Sequence, residues 1–424
     1  MKKFSRRAVV ITAAVTFLVT VILFNWRQAE EKLERPIPPL YAVADPQFVR
    51  SMGGLVGPPL VDGNVVTELL NGDQIFPAML EAIRGAQATI CFETYIYWRG
   101  VVGRQFTDAL TERARAGVRV HVLVDWVGAK VDEQMLAEIR GAGAEFEFFR
   151  PLRWYNLDRL NNRTHRRLLI VDGRVGFTGG VGVADHWLGN AQDAEHWRES
   201  HFRVEGPAVA QMQAAFVDNW MRTQGIVLHG ADYFPALKPV GPDLSQVVRS
   251  SPDESSEATR IMYMLSLAAA RRSIYLANSY FLPDDVAVET LVAARKRGVD
   301  VQIIVPGPLI DIEITRQASR GRWGPLLEAG VEIYEYLPTM YHCKVLVVDE
   351  RWVSVGSTNF DERSFRLNGE ANLNVLAPEF ARRQVEVFFQ DRARSRRVTL
   401  EAWRNRPWRE KLMERAANLI GSQL

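Results

Sequence analysis

The sequence is poor in several features that would identify a function quickly. It has only two cysteines, Cys91 and Cys343, in 424 residues, which excludes a disulfide framework and a cysteine-rich zinc site. It has little net charge, because 52 Lys+Arg oppose 50 Asp+Glu, so charge gives no argument for nucleic-acid binding. With 47% hydrophobic and 24% charged residues, the composition is typical of a globular protein and excludes a mostly disordered chain.

An apolar run near the N-terminus predicts a membrane anchor. Residues Ala8 to Phe24 carry no charge, and four basic residues precede them. The run is at the short end for a spanning helix, which needs roughly 17–25 residues. A cleaved signal peptide is the alternative, but no suitable cleavage site follows. We expect residues 8–25 to form a single transmembrane anchor, with residues 1–7 in the cytoplasm and the remaining chain on the extracytoplasmic side.

The rest of the chain divides into two similar lengths. Proline- and glycine-rich sequence over 26–61 predicts a linker, and a Pro-, Ser- and Asp-rich stretch over 233–258 predicts a second one. Residues 62–232 and 259–424 each show helices alternating with buried strands, which is typical of a mixed or parallel sheet. We predict a duplicated α/β protein with its active centre where the halves meet, and a basic helix at the C-terminal end of the second half.

The clearest internal repeat is a strand pattern that starts at a histidine and ends at an aspartate. It occurs as HRRLLIVD (165–172) and HCKVLVVD (342–349). His342 and Lys344 are two residues apart, so they share one face of a strand. An imidazole beside an ammonium suits phosphate, because the cation holds phosphoryl oxygens while the imidazole attacks phosphorus or moves a proton. One such segment alone is more often an ordinary buried strand, but two copies favour the catalytic interpretation.

Other polar residues follow the second copy. Ser357 and Asn359 share one face of the next predicted strand, and both can donate hydrogen bonds to a phosphoryl oxygen. Glu370 can orient the imidazole of His342 through its second ring nitrogen.

These residues resemble the phospholipase D superfamily, in which H-x-K-x(4)-D occurs twice. The second copy fits in full, and N-x-D-x-R-S from Asn359, continuing to Glu370, is similar to the bacterial cardiolipin synthase branch. The first copy departs from the pattern. Arg167 stands in place of Lys, and Gly180 and Gly182 stand where the second half has Ser357 and Asn359. Arginine keeps the charge with a different geometry, and glycine removes a hydrogen-bond donor.

The resemblance implies a phospholipase D-like α/β/α fold for each half and a phosphohistidine mechanism that needs no cofactor or metal. It implies His165 as the nucleophile and His342 as the general acid and base, with the reverse assignment open. The other expected site residues are Arg167, Lys344, Ser357 and Asn359 on the phosphate, Glu199 supporting the first histidine, Glu370 supporting the second, and Asp172 and Asp349 completing the catalytic motifs. We expect these two aspartates to anchor turns.

The same resemblance implies an anionic phospholipid partner. Phosphatidylglycerol would be both donor and acceptor, with cardiolipin and glycerol as products. A phospholipase D-type hydrolase of phospholipid, or less readily of nucleic acid, and an inactive lipid-binding scaffold are the alternatives. Basic stretches with aromatic neighbours over 150–167 and 382–415 suit an anionic membrane surface, although a solvated basic face explains the second equally well. The oligomeric state is not predicted.

Overall fold

The computed structural model describes residues 6–26, 33–151, 161–251, 257–419 and 421. The predicted α/β class and the duplication are confirmed. The strands are β1 (Val61–Leu70), β2 (Thr89–Thr94), β3 (Arg119–Asp125), β4 (Glu145–Phe149), β5 (Arg163–Thr164), β6 (Leu168–Val171), β7 (Val175–Gly179), β8 (Ser200–Glu205), β9 (Asp243–Ser250), β10 (Ser273–Asn278), β11 (Phe281–Leu282), β12 (Asp300–Pro306), β13 (Glu332–Tyr336), β14 (Lys344–Val348), β15 (Trp352–Gly356), β16 (Phe360–Asp361), β17 (Asn368–Leu376) and β18 (Ser395–Val398).

The described residues also form fourteen α-helices. They are α1 (Arg6–Trp26), α2 (Pro46–Leu55), α3 (Asn71–Gly85), α4 (Val101–Arg115), α5 (Glu133–Gly141), α6 (Ala208–Gln224), α7 (Ala258–Ala269), α8 (Asp285–Lys296), α9 (Glu313–Gly321), α10 (Trp323–Glu328), α11 (Glu362–Arg366), α12 (Pro378–Ala393), α13 (Leu400–Arg404) and α14 (Trp408–Asn418).

One large mixed sheet runs through both halves. Its order is β18-β13-β12-β10-β14-β15-β17-β9-β1-β8-β7-β6-β2-β3-β4. Counted outward from the central β9–β1 pair, the first half contributes β8, β7, β6, β2, β3 and β4. The second half contributes β17, β15, β14, β10, β12 and β13, so equivalent strands hold equivalent positions. In each half the outer strands are parallel, β2-β3-β4 and β10-β12-β13, and the inner ones are antiparallel. The duplication seen in the sequence is therefore a duplication of topology.

Both segments predicted as linkers contain regular structure, so those predictions are wrong in part. Within 233–258, β9 pairs with β1 of the first half and with β17 of the second. Within 26–61, helix α2 buries Phe48 and Met52 in the core of the second half. The flanking prolines and glycines concealed these elements, because both are short: β9 has eight residues and α2 has ten.

Helices cover both faces of the sheet. Helices α6 and α12 pack on one face, each in its own half. The opposite face is covered by α3, α4 and α5 in the first half and by α7, α8 and α10 in the second. Because both faces are covered, strands such as β2 and β10 are buried along their whole length.

The predicted anchor falls within helix α1, whose described side chains, such as Val10 and Phe17, are exposed. Over the residues described, no helix is both long and apolar enough to cross a membrane. The preceding basic residues Lys2 and Lys3 lie outside the described part, as do residues 152–160 of the first basic stretch.

The basic C-terminal stretch forms three helices and a strand instead of one basic helix. Several of its arginines make ion pairs within the protein. These pairs are Arg396–Glu335, Arg397–Glu332, Arg404–Glu328 and Arg406–Glu414. Much of the predicted positive charge is therefore balanced locally, which favours a C-terminal cap over a dedicated anionic-lipid surface.

Candidate active site

A cavity of about 170 Å³ lies between the two halves, and both motif histidines line it. His165 and His342 are each less than a tenth exposed. The cavity is lined by Tyr95, Ile96, Arg163, His165, Arg167, Trp197, Tyr280, Asp311, Ile312, Thr315, His342, Asn359, Asp361, Arg363 and Asn368. The prediction that the two motifs meet between the halves agrees with this arrangement.

Backbone pairing across the halves positions His165. Strand β5, which immediately precedes it, runs parallel to β17 of the second half, with Thr164 opposite Gly369. The backbone N–H of His165 donates to the carbonyl of Gly369 at 2.8 Å. The next residue on β17 is Glu370, whose carboxylate lies 2.9 Å from His165 Nδ1.

The second histidine is positioned in the reciprocal way. The backbone N–H of His342 donates to the carbonyl of Arg198 in the first half at 2.9 Å. The residue after Arg198 is Glu199, and its carboxylate lies 2.6 Å from His342 Nδ1. The prediction that each carboxylate serves the histidine of its own half is therefore wrong. Each glutamate crosses over, because the chain next to each histidine hydrogen-bonds to the backbone that carries the other half's glutamate.

The two carboxylates differ in their support. Glu370 also accepts hydrogen bonds from Ser357 Oγ at 2.5 Å and Asn368 Nδ2 at 3.4 Å. Glu199 accepts from the backbone N–H of Ser200 at 2.9 Å. The first-half counterpart of Ser357 is Gly180, where an added Cβ would lie 2.3 Å from Glu199 Oε2. The glycine thus leaves room for the Glu199 carboxylate.

These contacts correct the predicted role of Ser357. Its side chain is fully buried, it does not line the cavity, and its hydroxyl donates to Glu370. It also follows β15 instead of lying within a regular strand. Ser357 therefore holds a carboxylate in place and is not a phosphate contact. Asn359 does line the cavity, and its Oδ1 accepts from Ser279 Oγ at 3.0 Å, which leaves its two amide N–H donors for another partner.

The two motif cations occupy different positions. Arg167 lines the cavity and donates from Nη1 to the His165 carbonyl at 2.9 Å, and its buried Nε has no partner among the described residues. Lys344 lies against the ring of the second histidine. Its Nζ donates to Ser279 Oγ at 2.6 Å and to the His342 carbonyl at 2.8 Å, and it lies 3.3 Å from His342 Nδ1 and 3.4 Å from His342 Nε2. Arg167 lines the cavity, and the Lys344 ammonium lies close to the Nε2 atom of His342, so both cations are near the place of an anion.

Burial sets the protonation of the site. Burial, reinforced by Arg167, lowers the pKa of His165 to about 4. Burial and the Lys344 ammonium lower the pKa of His342 well below its ordinary value. Burial raises the pKa of Glu199 to about 7, against the attraction of Lys344, and lowers that of Lys344 to about 8. Without a bound anion, both imidazoles are therefore neutral at neutral pH, with Nδ1 hydrogen-bonded to a carboxyl group.

The two motif aspartates lie away from the cavity. Asp172 accepts from the backbone N–H groups of Gln87, Ala88 and Thr89 at the start of β2. Asp349 accepts from those of Arg271, Arg272 and Ser273 at the start of β10. Both have a positive φ, 53° and 54°, as turn residues. These contacts agree with the expectation that both aspartates anchor turns, and neither of them lines the cavity.

The space beside Gly182 is also filled by neighbouring side chains. An added Cβ there would lie 2.9 Å from Ile96 Cβ and 3.1 Å from the Trp187 ring. Trp187 packs edge-on against the His342 ring, with centroids 5.3 Å apart. The expectation that Gly182 simply lacks a donor is therefore incomplete, because aromatic packing fills the place of such a side chain.

Sequence reasoning missed several cavity residues. Tyr280 and Asp311 form a hydrogen-bonded pair at 2.6 Å, and Trp197 packs on His342 with ring centroids 5.4 Å apart. No motif marks them, because they come from loops. Asp361 and Arg363 belong to the N-x-D-x-R-S segment that was noted without a role, so that motif could have found them. Among the described residues, no group of three or more metal-ligating side chains is present.

Two imidazoles that face one cavity, each held by a carboxylate from the opposite half, define a phospholipase D-type phosphoryl-transfer centre. The family model described as "Cardiolipin synthase, PLD-like domain" matches residues 79–220 and 263–392. The chain belongs to this cardiolipin synthase family of the phospholipase D superfamily, and it is a phosphatidyltransferase-type enzyme of that superfamily.

Relatives over most of the chain agree. A cardiolipin synthase of Geobacillus kaustophilus is 34% identical over 360 residues, covering 84% of this chain and 72% of that protein. Cardiolipin synthase 1 of Bacillus anthracis is 34% identical over 380 residues, covering 87% and 74%. The crystal structure of a phosphatidylserine synthase from Haemophilus influenzae has the same fold, with a TM-score of 0.67 at 13% identity over 89% of this chain and 99% of that chain.

Proposed function

We propose that this protein condenses two phosphatidylglycerol molecules to cardiolipin and glycerol through a phosphohistidine intermediate. The observation that carries the proposal is the pair of histidines on one cavity, each with its Nδ1 held by a glutamate. Because each Nδ1 faces a glutamate, the Nε2 atom of each imidazole is left for the substrate. One imidazole can then form a bond to phosphorus while the other moves a proton.

In the first step His165 is the nucleophile. Its neutral Nε2 attacks the phosphorus of phosphatidylglycerol, and the bond from phosphorus to the glycerol oxygen breaks. His342 gives its Nε2 proton to that oxygen, and glycerol leaves. The anionic phosphate raises the pKa of His342 on binding, which supplies the protonated form that the free site disfavours. Glu199 stabilises the resulting imidazolium.

In the second step His342 acts as the base and His165 is the leaving group. Neutral His342 takes the proton from the free primary hydroxyl of a second phosphatidylglycerol. The hydroxyl oxygen attacks phosphorus, the bond between nitrogen and phosphorus breaks, and His165 is regenerated. Dividing one displacement into two gives each step a well-placed nucleophile and leaving group.

Positive charge supports the phosphate in both steps. We assign Arg167 to the phosphoryl oxygens, because it lines the cavity and has a buried Nε without a partner among the described residues. Asn359 supplies amide donors, and Lys344 places its charge 3.4 Å from the Nε2 atom of His342. A guanidinium offers a planar fork that matches two oxygens of one phosphate, whereas an ammonium acts as a compact point charge.

We further propose that residues 8–25 anchor the enzyme in the cell membrane, with the catalytic body on the extracytoplasmic side. Helix α1 includes this segment, its side chains such as Val10 and Leu18 are exposed, and the substrate is a lipid. Carbonate extraction of membranes should leave the full chain in the pellet. Protease added to spheroplasts should then degrade the body, whereas protection from the protease would place it on the cytoplasmic side.

The deciding experiment is mass spectrometry of lipids after the purified protein is mixed with phosphatidylglycerol vesicles. We expect cardiolipin and glycerol from the unmodified protein and neither from His342→Ala. His121→Ala is the matched control, because His121 is a buried histidine that hydrogen-bonds Tyr233 away from the cavity. Phosphatidic acid alone would indicate a hydrolase. No product from any phospholipid would indicate a scaffold.

A further inference from the structure

The cavity has a carboxylate at its edge that the transfer mechanism does not use. Asp311 lies in the loop between β12 and α9, lines the cavity and is exposed at its rim. The other lining aspartate, Asp361, is buried, and its Oδ1 caps α11 through the backbone N–H of Ser364. No comparable capping contact involves the Asp311 side chain in the described residues. Asp311 is therefore the lining carboxylate that is available to a ligand.

The Tyr280 hydroxyl and two backbone N–H groups of its own loop, those of Asp311 and Ile312, hold the Asp311 side chain. Tyr280 Oη donates to its carboxylate and lies 2.6 Å from both oxygens. These three donors leave part of the carboxylate available, because it offers about four lone-pair sites. No salt bridge to a described residue uses the remaining sites. The pair thus presents oriented acceptors to the cavity.

This pair lies on the His342 side of the site. The Tyr280 ring is edge-on to the His342 ring, with centroids 6.4 Å apart, whereas His165 packs against Tyr95 at 5.2 Å. In the proposed mechanism, the alcohol that leaves and the alcohol that enters both exchange a proton with His342. The Tyr280–Asp311 pair therefore borders His342, beside which the alcohol exchanges its proton.

The chemistry of a carboxylate selects what can bind there. It repels the phosphate, which the cations Arg163, Arg167 and Arg363 of the lining attract. It accepts hydrogen bonds strongly from hydroxyl groups. In a transfer between two phosphatidylglycerols, the leaving and entering alcohols are both glycerol units with neighbouring hydroxyls. One acceptor can therefore recognise the alcohol in both directions.

We propose that Asp311, held by Tyr280, is the specificity residue that binds the non-reacting hydroxyls of the glycerol unit while His342 transfers a proton at the reacting one. The inference rests on the proposed function, because it assumes phosphatidyl transfer to an alcohol. It assigns a polyol subsite on the loop between β12 and α9.

The test compares two soluble acceptors of the same carbon length. Phosphatidyl transfer from vesicle phosphatidylglycerol, carrying a labelled phosphatidyl group, is measured to deuterated glycerol and to 1-propanol, which lacks the neighbouring hydroxyls. Losing a charge-assisted hydrogen bond should lower the ratio of kcat/KM for glycerol to that for 1-propanol by about tenfold or more in Asp311→Ala. Asp311→Asn, which retains one acceptor oxygen, should show a smaller fall.

Glu313→Gln is the matched control. It removes a negative charge two residues away that pairs with Arg316 and does not line the cavity, so the ratio should not change. Equal losses for both acceptors in Asp311→Ala would show a structural role and overturn the inference. Ethanolamine is tested as a third acceptor. If Asp311→Ala lost transfer to ethanolamine only, the residue would bind an ammonium group, and the inference would be overturned as well. Transfer to neither alcohol by the unmodified protein, with phosphatidic acid as product, would instead overturn the proposed function and the inference with it.

Discussion

The two halves of this protein repeat one topology but build their parts of the active site differently. In the second half the motif is complete, with His342, Lys344 and a serine after the Gly356 turn. In the first half, arginine replaces the lysine and Gly180 replaces the serine. The serine of the second half supports Glu370, which holds the histidine of the first. A departure from the motif in one half therefore affects the histidine of the other.

This crossing gives the two histidines unequal environments. His165, the proposed nucleophile, has a carboxylate fixed by Ser357 and Asn368. His342, the proposed acid and base, has a carboxylate with fewer donors and a nearby ammonium, Lys344. A nucleophile benefits from a rigid orientation, and a proton carrier benefits from charges that adjust its pKa. The asymmetry thus agrees with the proposed division of roles.

The strongest test of this division removes each histidine. His165→Ala and His342→Ala should each lower phosphatidyl transfer by a factor of about 10⁴ or more, as for residues that act as a unit. Only His342→Ala should recover with a p-nitrophenyl ester of phosphatidic acid, because p-nitrophenolate leaves without a proton. A burst of p-nitrophenol in stopped flow is the measurement. Recovery of His165→Ala instead would reverse the roles.

Replacing the glutamates tests whether each one serves the histidine of the opposite half. Glu370→Gln and Glu199→Gln should each lower transfer by about 10²–10³, because the imidazole loses its orienting acceptor. With the p-nitrophenyl substrate, Glu199→Gln should recover, since Glu199 serves the acid, and Glu370→Gln should not. The opposite pattern would restore the pairing within each half. Circular dichroism of both variants checks that the fold is retained.

The pH dependence tests the role of the lysine charge. The pKa of Lys344 is lowered to about 8, so the group is charged below that pH and loses its charge above it. We expect kcat/KM for phosphatidylglycerol to fall as the pH rises beyond about 8. Lys344→Arg keeps its charge and should move this alkaline limb upward. An identical limb in that variant would exclude Lys344 as its origin.

Restoring the missing lysine should have a modest effect. Arg167→Lys loses the hydrogen bond to the His165 carbonyl and the bidentate grip on phosphate, so we expect activity to fall by about tenfold or less. Arg167→Ala, which removes the charge, should fall further. A gain of activity in Arg167→Lys would support the scaffold alternative. Initial rates with phosphatidylglycerol vesicles measure all three proteins.

The smallest effect concerns stability. Gly182→Asn would press on Ile96 and Trp187, and overpacking of this kind costs about 1–3 kcal/mol. Thermal unfolding should show a lowered Tm relative to the unmodified protein. Ala191→Gly is a suitable reference, because Ala191 has a φ of 51° that glycine adopts freely. An unchanged Tm in Gly182→Asn would mean that the Trp187 ring moves aside without cost.

Much of the site follows from the sequence because each motif runs into a strand, β6 or β14, which its histidine closely precedes. The period of two in HCKVLVVD places His342 and Lys344 on one side, and the repeat of this strand in both halves indicates one shared centre. Asp172 and Asp349 were recognisable as turn residues because each ends its strand. Tyr280, Asp311 and Trp197 could not be found in this way, since loop residues have no periodicity and gain their place from the elements that hold the loop.

The sequence by itself determined the duplication, the α/β class and the two histidines, because these depend on local periodicity and on chemistry carried by single residue types. Only the tertiary structure decided which glutamate serves which histidine, that Ser357 serves a carboxylate, and that β9 joins the halves. Those facts depend on hydrogen bonds between backbone segments far apart in the chain, such as His165 to Gly369 and His342 to Arg198. Such pairings leave no local pattern, because any residue can supply the backbone groups that form them.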